Sequence, residues 1–239
     1  MVSIKRFWIA FLALLPLVVV QALYTRRKTL RLPDAEGPSS GTTGSGEPAL
    51  RMLVAGESTT AGVGVAHSDQ ALPCQLARAL AQQSDRTIHW HADGVTGCRL
   101  ADVEERLHRH PPQADLVVIV SGVNDTTGLT PLARWRSTLE NTVRLAAHKG
   151  ARVVLLAVPP MEHFAALPRP LRTLMGLRAA LLNQVLHRIA DTHRGCDFID
   201  WRIPVTPEHL ASDGYHPSAS GYQAIARDCA HRMMAHGIL

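Results

Sequence analysis

Apolar and polar positions along the chain fall into two repeating patterns. Residues 51–55, 116–120 and 153–158 are short apolar runs rich in Val, Leu and Ile and closed by turn residues. Runs of that kind belong to strands buried on both faces of a sheet. Residues 87–92 and 197–200 are weaker strand candidates. Between them lie segments with apolar positions three and four apart, at 70–83, 99–110, 132–148, 171–193 and 220–235. These predict helices with one buried face. Pro111-Pro112 stops the second, while Gly150 and Gly195 follow the third and fourth, as helix ends require. Five strands alternating with helices predict a three-layer α/β/α domain on a parallel sheet.

The N-terminus has a different pattern. Residues 1–6 end in Lys5-Arg6, residues 7–24 are almost wholly apolar, and Arg26-Arg27-Lys28 follow. A helix over 7–24 would measure about 27 Å, enough for a bilayer core. Pro16 and Gln21 weaken such a helix. One reading is a single transmembrane anchor. The other is a cleaved signal peptide, since Val20-Gln21-Ala22 resembles a cleavage site. The three cations that follow disfavour cleavage, so an uncleaved anchor is expected, and the protein is placed at a bacterial-type cell membrane. The side of the membrane stays open, because positive-inside counting leans only weakly to the cytoplasm. Residues 25–48 contain PDAEGPSSGTTGSGEP and read as a flexible Gly/Ser/Pro linker. The folded domain is expected over residues 49–239.

Charge changes little in this picture. The net +5 divides into six basic against three acidic residues up to 47, leaving nineteen against seventeen for the rest. A nearly neutral domain does not support a nucleic-acid partner. Cys74, Cys98, Cys196 and Cys229 form no C-x-x-C pair, which argues against a zinc site and favours buried thiols. His89 and His91 have no carboxylate or thiol cluster around them to make a metal site. The glycine-rich 56–64 stretch lacks the Gly-Lys-Ser/Thr ending of a phosphate loop.

In a parallel α/β sheet, ligands bind beyond the carboxyl ends of the strands. The residues just after each predicted strand are Gly56-Glu57-Ser58, Gly94-Val95-Thr96-Gly97, Ser121-Gly122-Val123-Asn124-Asp125 and Asp213-Gly214-Tyr215-His216-Pro217. Acyl transfer needs such a set. A serine hydroxyl requires an imidazole to take its proton, and the imidazole requires a carboxylate to hold its tautomer. Asp213 and His216, three residues apart, suit one turn. The oxyanion requires donors already in place, and the Asn124 amide with the N–H groups of Gly97 and Ser58 offers three. Cys98 beside Gly97 reads as a packed thiol. After strand four, Met161, Phe164 and Leu167 lie on the same side. They read equally as the lining of an acyl pocket and as the packing of a rigid Pro-rich connection.

These four blocks, in this order, resemble the SGNH, or GDSL-like, hydrolase family over residues 51–217. The resemblance implies Ser58 as nucleophile, Asp213 and His216 as its triad partners, and Gly97 and Asn124 beside Ser58 as the oxyanion hole. It implies a flavodoxin-like five-stranded sheet of order 2-1-3-4-5, hydrolysis of carboxylic or thio esters, and no metal or cofactor. Glu57 departs from the family's Asp before the serine, and His91-Ala92-Asp93 and Val123 depart from the second and third blocks. The expected substrate is a small acyl ester, a lipid or an acylated glycan. An O-deacetylase or acyltransferase of the envelope, and an inactive anchored binding module, stand as alternatives.

Overall fold

The computed structural model describes residues 3–239. In chain order the elements are α1 (Ile4–Ala13), α2 (Leu15–Lys28), β1 (Ser40–Thr43), β2 (Leu50–Gly56), α3 (Ser58–Ala61), α4 (Leu72–Ser84), β3 (Ile88–Gly94), α5 (Leu100–Arg109), β4 (Leu116–Val120), α6 (Val123–Thr127), α7 (Leu132–Ala146), β5 (Arg152–Leu156), α8 (Leu171–Thr192), β6 (Cys196–Ile199) and α9 (Ala219–Ala235). Short 3-10 turns join several of them.

Among the described residues the sheet has six strands in the order β1-β3-β2-β4-β5-β6. Five are parallel, and β1 runs antiparallel to β3. The parallel part keeps the expected 2-1-3-4-5 order when only its own strands are counted. The expected all-parallel, five-stranded sheet is thus corrected to a mixed one. The added edge strand comes from inside the stretch that reads as linker. Ser40–Thr43 pairs with residues 88–91 of β3, and the Thr42 hydroxyl meets His89 Nδ1 at 2.9 Å.

Alternation along each central strand builds the two cores. Leu53, Ala55, Val117, Ile119, Val153 and Leu155 point to the layer formed by α5, α7 and α8. Met52, Val54, Val118, Val120, Val154 and Leu156 point to α4 and α9. Every second residue therefore serves the opposite face, as the pleat requires, and both faces are dry. This is why 116–120 shows no polar residue at all. All four cysteines are buried free thiols.

The N-terminal expectation needs a second correction. Among the described residues no single helix is long and apolar enough to cross a membrane. The apolar stretch is broken at Leu14, and α1 and α2 meet at 82°. Pro16 is the physical reason. It has no N–H, and its ring collides with the carbonyl one turn back, so it sits in the first turn of a new helix rather than inside a continuous one. Phe7 and Phe11 of α1 are buried in the α8 layer, so this helix packs on the domain.

Candidate active site

The carboxyl ends of β2, β3 and β4 and the loop before α9 place the candidate residues. β2 ends at Gly56, where an added Cβ would lie 2.1 Å from the Val120 carbonyl oxygen. Only glycine lets β2 and β4 approach this closely. The chain then turns sharply into α3, with Ser58 as its first helical residue. An N–H at that position has no carbonyl one turn back to donate to, so it is available to a ligand.

The Ser58 Oγ lies 2.9 Å from His216 Nε2, although 158 residues separate them. His216 Nδ1 lies 2.6 Å from Asp213 Oδ2. A carboxylate only accepts, so Nδ1 carries the ring proton and donates it. Nε2 is then left as an acceptor facing the serine hydroxyl. Asp213 Oδ1 also accepts the N–H groups of Tyr215 (2.9 Å) and His216 (3.0 Å). Burial pushes the Asp213 carboxyl up, but the hydrogen bonds from the His216 ring and the two N–H groups outweigh it and leave it below its usual range. Asp213 therefore stays ionised beside the ring. The three residues that the sequence assigns to a triad are brought together.

The expected oxyanion residues are arranged differently from one another. Gly97 has a positive φ of 83° and open space where a side chain would be. Its turn is held to β2: Val95 N–H donates to the Gly56 carbonyl at 3.2 Å, and the Cys98 thiol does so at 3.3 Å. Asn124 is more constrained than expected. Its Nδ2 donates to Glu57 Oε2 and, at 2.9 Å, to the Cys98 carbonyl. Both amide hydrogens thus have partners within the protein, and one must be shared or released to meet an oxyanion.

Glu57 is the acceptor at the centre of this arrangement. It also takes the N–H groups of Val123 (2.9 Å) and Asn124 (3.1 Å). Burial raises its carboxyl from 4.5 to about 7, against the pull of those N–H groups. Glu57 thereby ties the nucleophile turn to α6. Asp125, also buried, ties α6 to the turn at Gly97. It accepts Leu100 N–H at 2.9 Å and the Thr130 hydroxyl at 2.7 Å. Arg106 adds a third tie, pairing with Asp93 at 2.9 Å and donating to the Gly56 carbonyl at 3.1 Å. Burial raises the Cys98 thiol, so it stays protonated and is no rival nucleophile.

A small cavity of about 60 Å³ opens beside Ser58 and His216. Its walls include Leu156, Val158, Phe164, Trp201, Ile203 and Ile225. Of the expected pocket residues only Phe164 lines it, with its ring edge-on to Tyr215 at 4.9 Å. Met161 and Leu167 are buried in the core beneath the α8 layer. The missed wall is the apolar stretch just after β6, Trp201 to Val205. The rule that places ligands beyond strand ends applies there as well.

With this geometry in view, the chain was compared with known proteins. The model of the GDSL-like lipase/acylhydrolase family matches residues 54–224. The chain belongs to that family. A GDSL-like esterase of Mycobacterium tuberculosis is 28% identical over 246 residues, covering 92% of this chain and 76% of that esterase. Among solved structures, the lipase/acylhydrolase of Enterococcus faecalis matches with a TM-score of 0.61 at 21% identity, over 78% of this chain and 96% of its own. A family 3 carbohydrate esterase of Clostridium thermocellum matches with 0.62 at 16% identity, over 79% and 96%. At these identities the two structures speak for the fold alone. The resemblance read from the four motifs is borne out, and this GDSL-like protein is a carboxylester hydrolase.

Proposed function

We propose that this GDSL-like hydrolase cleaves short-acyl esters through an acyl-enzyme on Ser58. The observation that carries the reading is the continuous chain Ser58 Oγ, His216 Nε2, His216 Nδ1, Asp213 Oδ2, with links of 2.9 and 2.6 Å. His216 takes the hydroxyl proton as Oγ bonds to the ester carbonyl carbon. Charge develops on the carbonyl oxygen, which faces the N–H groups of Ser58 and Gly97. Asn124 joins as third donor by loosening one of its two internal bonds. The C–O bond then breaks, and His216 returns the proton to the departing alkoxide. Water repeats the sequence with His216 as base, freeing the acid and restoring the Ser58 hydroxyl. Asp213 stays ionised throughout and stabilises the imidazolium.

The cavity supports a short acyl group. About 60 Å³ is room for about two waters at roughly 30 Å³ each, and its walls are mainly apolar. A second reading, O-deacetylation of a glycan, is favoured by the same cavity size, which suits an acetyl group. It uses the same residues and differs only in the leaving alcohol.

The test is turnover of p-nitrophenyl acetate and butyrate by the full chain. Ser58→Ala should abolish turnover while circular dichroism and thermal melting stay close to wild type. Full activity in a folded Ser58→Ala protein rejects the assignment. Acetate release from acetylated sugars would favour the second reading over a general esterase.

A further inference from the structure

The bent helix pair presents an outward face that the domain does not use. Phe7, Phe11, Leu14, Val18 and Gln21 recur at spacings of four and three and turn inward. Phe7 lies over the buried Arg178 guanidinium, 5.7 Å from ring centroid to charge. What remains points away. Of the eleven large hydrophobic side chains exposed among the described residues, ten fall between Trp8 and Leu30. Ile9 is 70% exposed, Val20 63% and Leu12 61%. A soluble surface scatters such residues singly; here nine sit on two adjoining helices and Leu30 lies just beyond.

Charge identifies what covers this face. Residues 3–33 carry Lys5, Arg6, Arg26, Arg27, Lys28 and Arg31 and no acidic residue. A second copy is a poor occupant, because a twofold contact sets the same patch against itself and cations against cations. An anionic bilayer satisfies both features, taking apolar side chains below the headgroups and cations among them. By length and composition the bent pair could form a broken span, but neither helix crosses alone. Helices of 10 and 14 residues measure about 15 and 21 Å, short of a core of about 30 Å, and Phe7, Phe11 and Gln21 are already held by the domain.

The pair also touches the loop that borders the active site. Gln21 Nε2 donates to the Arg169 carbonyl at 2.7 Å, and its Oε1 accepts Leu171 N–H at 3.0 Å. Those two residues close the loop that follows β5, and Phe164 of that loop walls the cavity. We propose that α1 and α2 lie in the plane of an anionic membrane surface and hold the cavity mouth at the lipid interface, where the esterase takes membrane-borne esters. The docking claim stands apart from the chemistry; only the claim about substrate supply rests on the hydrolase reading.

The test is co-flotation of the full chain with vesicles of phosphatidylcholine, alone or with one third phosphatidylglycerol. Preferential binding to the anionic vesicles is expected. Combining Arg26→Glu, Arg27→Glu and Lys28→Glu should weaken that binding by about 100-fold or more, at roughly tenfold per 1.4 kcal/mol and about 1 kcal/mol per cation. Fluorophosphonate labelling of Ser58 in lipid-free solution should not change. Ser3→Cys and Thr29→Cys, at opposite ends of the pair, should both react with an impermeant maleimide added outside the vesicles. Labelling of only one of the two means a crossing helix and overturns the proposal. So does equal binding to both vesicle types, or a lipid-free dimer that shields Trp8 from quenchers. Substrate supply is read by comparing a vesicle-borne short-acyl ester with soluble p-nitrophenyl acetate. The triple variant should lose only the first. Loss of neither contradicts interfacial supply, whereas absence of turnover on both in wild type contradicts the hydrolase reading and leaves docking standing.

Discussion

Glu57 links pH to stability in a direction opposite to most carboxylates. Its carboxyl is raised from 4.5 to about 7 by burial, so the folded protein holds this proton more tightly than the unfolded chain does. The stability it contributes is complete below about 4.5, is lost as pH rises through about 7, and changes little beyond. Each tenfold difference in proton affinity is worth about 1.36 kcal/mol, so ionising Glu57 in place costs about 3 kcal/mol relative to the unfolded chain. Glu57→Gln removes the titration and keeps one oxygen, which in the Oε1 position still accepts the Val123 N–H. Its amide meets the Asn124 Nδ2 donor group, so its absolute stability can fall, and the informative quantity is the slope. Urea unfolding of both proteins between pH 5 and pH 9 reads it. Wild type should lose roughly 2–3 kcal/mol more than Glu57→Gln across that interval. Parallel stability–pH curves would refute the reasoning, because they would mean that Glu57 is either ionised throughout or not buried.

Three other substitutions probe separate links. Asp213→Asn should lower kcat roughly 10³–10⁴-fold, because an amide can donate to Nδ1 and force the His216 proton onto Nε2, where it blocks the serine; steady-state kinetics with p-nitrophenyl acetate checks this. Asp125→Ala should cost about 2–4 kcal/mol by urea denaturation, since it strands the buried Leu100 N–H and Thr130 hydroxyl. Ile225→Ala should widen the cavity and raise the hexanoate-to-acetate ratio of kcat/KM by about tenfold or more, at 1–3 kcal/mol per methylene accommodated; an unchanged ratio would remove Ile225 from the acyl wall.

What the sequence made legible follows from where side-chain pattern controls structure. Leu116–Val120 is readable because both faces of β4 are buried and each residue must be apolar. Ser58, Asp213 and His216, which the structure brings together, are readable because the proposed chemistry demands those residue types after strands. β1 was hidden for the opposite reason. Ser40–Thr43 pairs through its backbone at a sheet edge, so its side chains carry no hydrophobic signal. Pro16 was legible as a weak point of the apolar stretch, but hydropathy sums residues and does not show that its ring ends one helix and opens another. For Met161 and Leu167 the sequence left pocket and packing even, because being on the correct side of the sheet does not decide whether a side chain faces the cavity or the core. The double engagement of the Asn124 amide depends on Glu57 reaching across 67 positions, a distance that motif spacing does not describe.

The central claim is that Ser58 is the nucleophile activated by His216. A fluorophosphonate probe followed by peptide mass mapping tests it most directly. Wild-type protein should carry one phosphonyl group, on Ser58, and His216→Ala should label far more slowly while remaining folded. A folded wild-type protein that takes no label, or takes it on a different residue, would contradict the account.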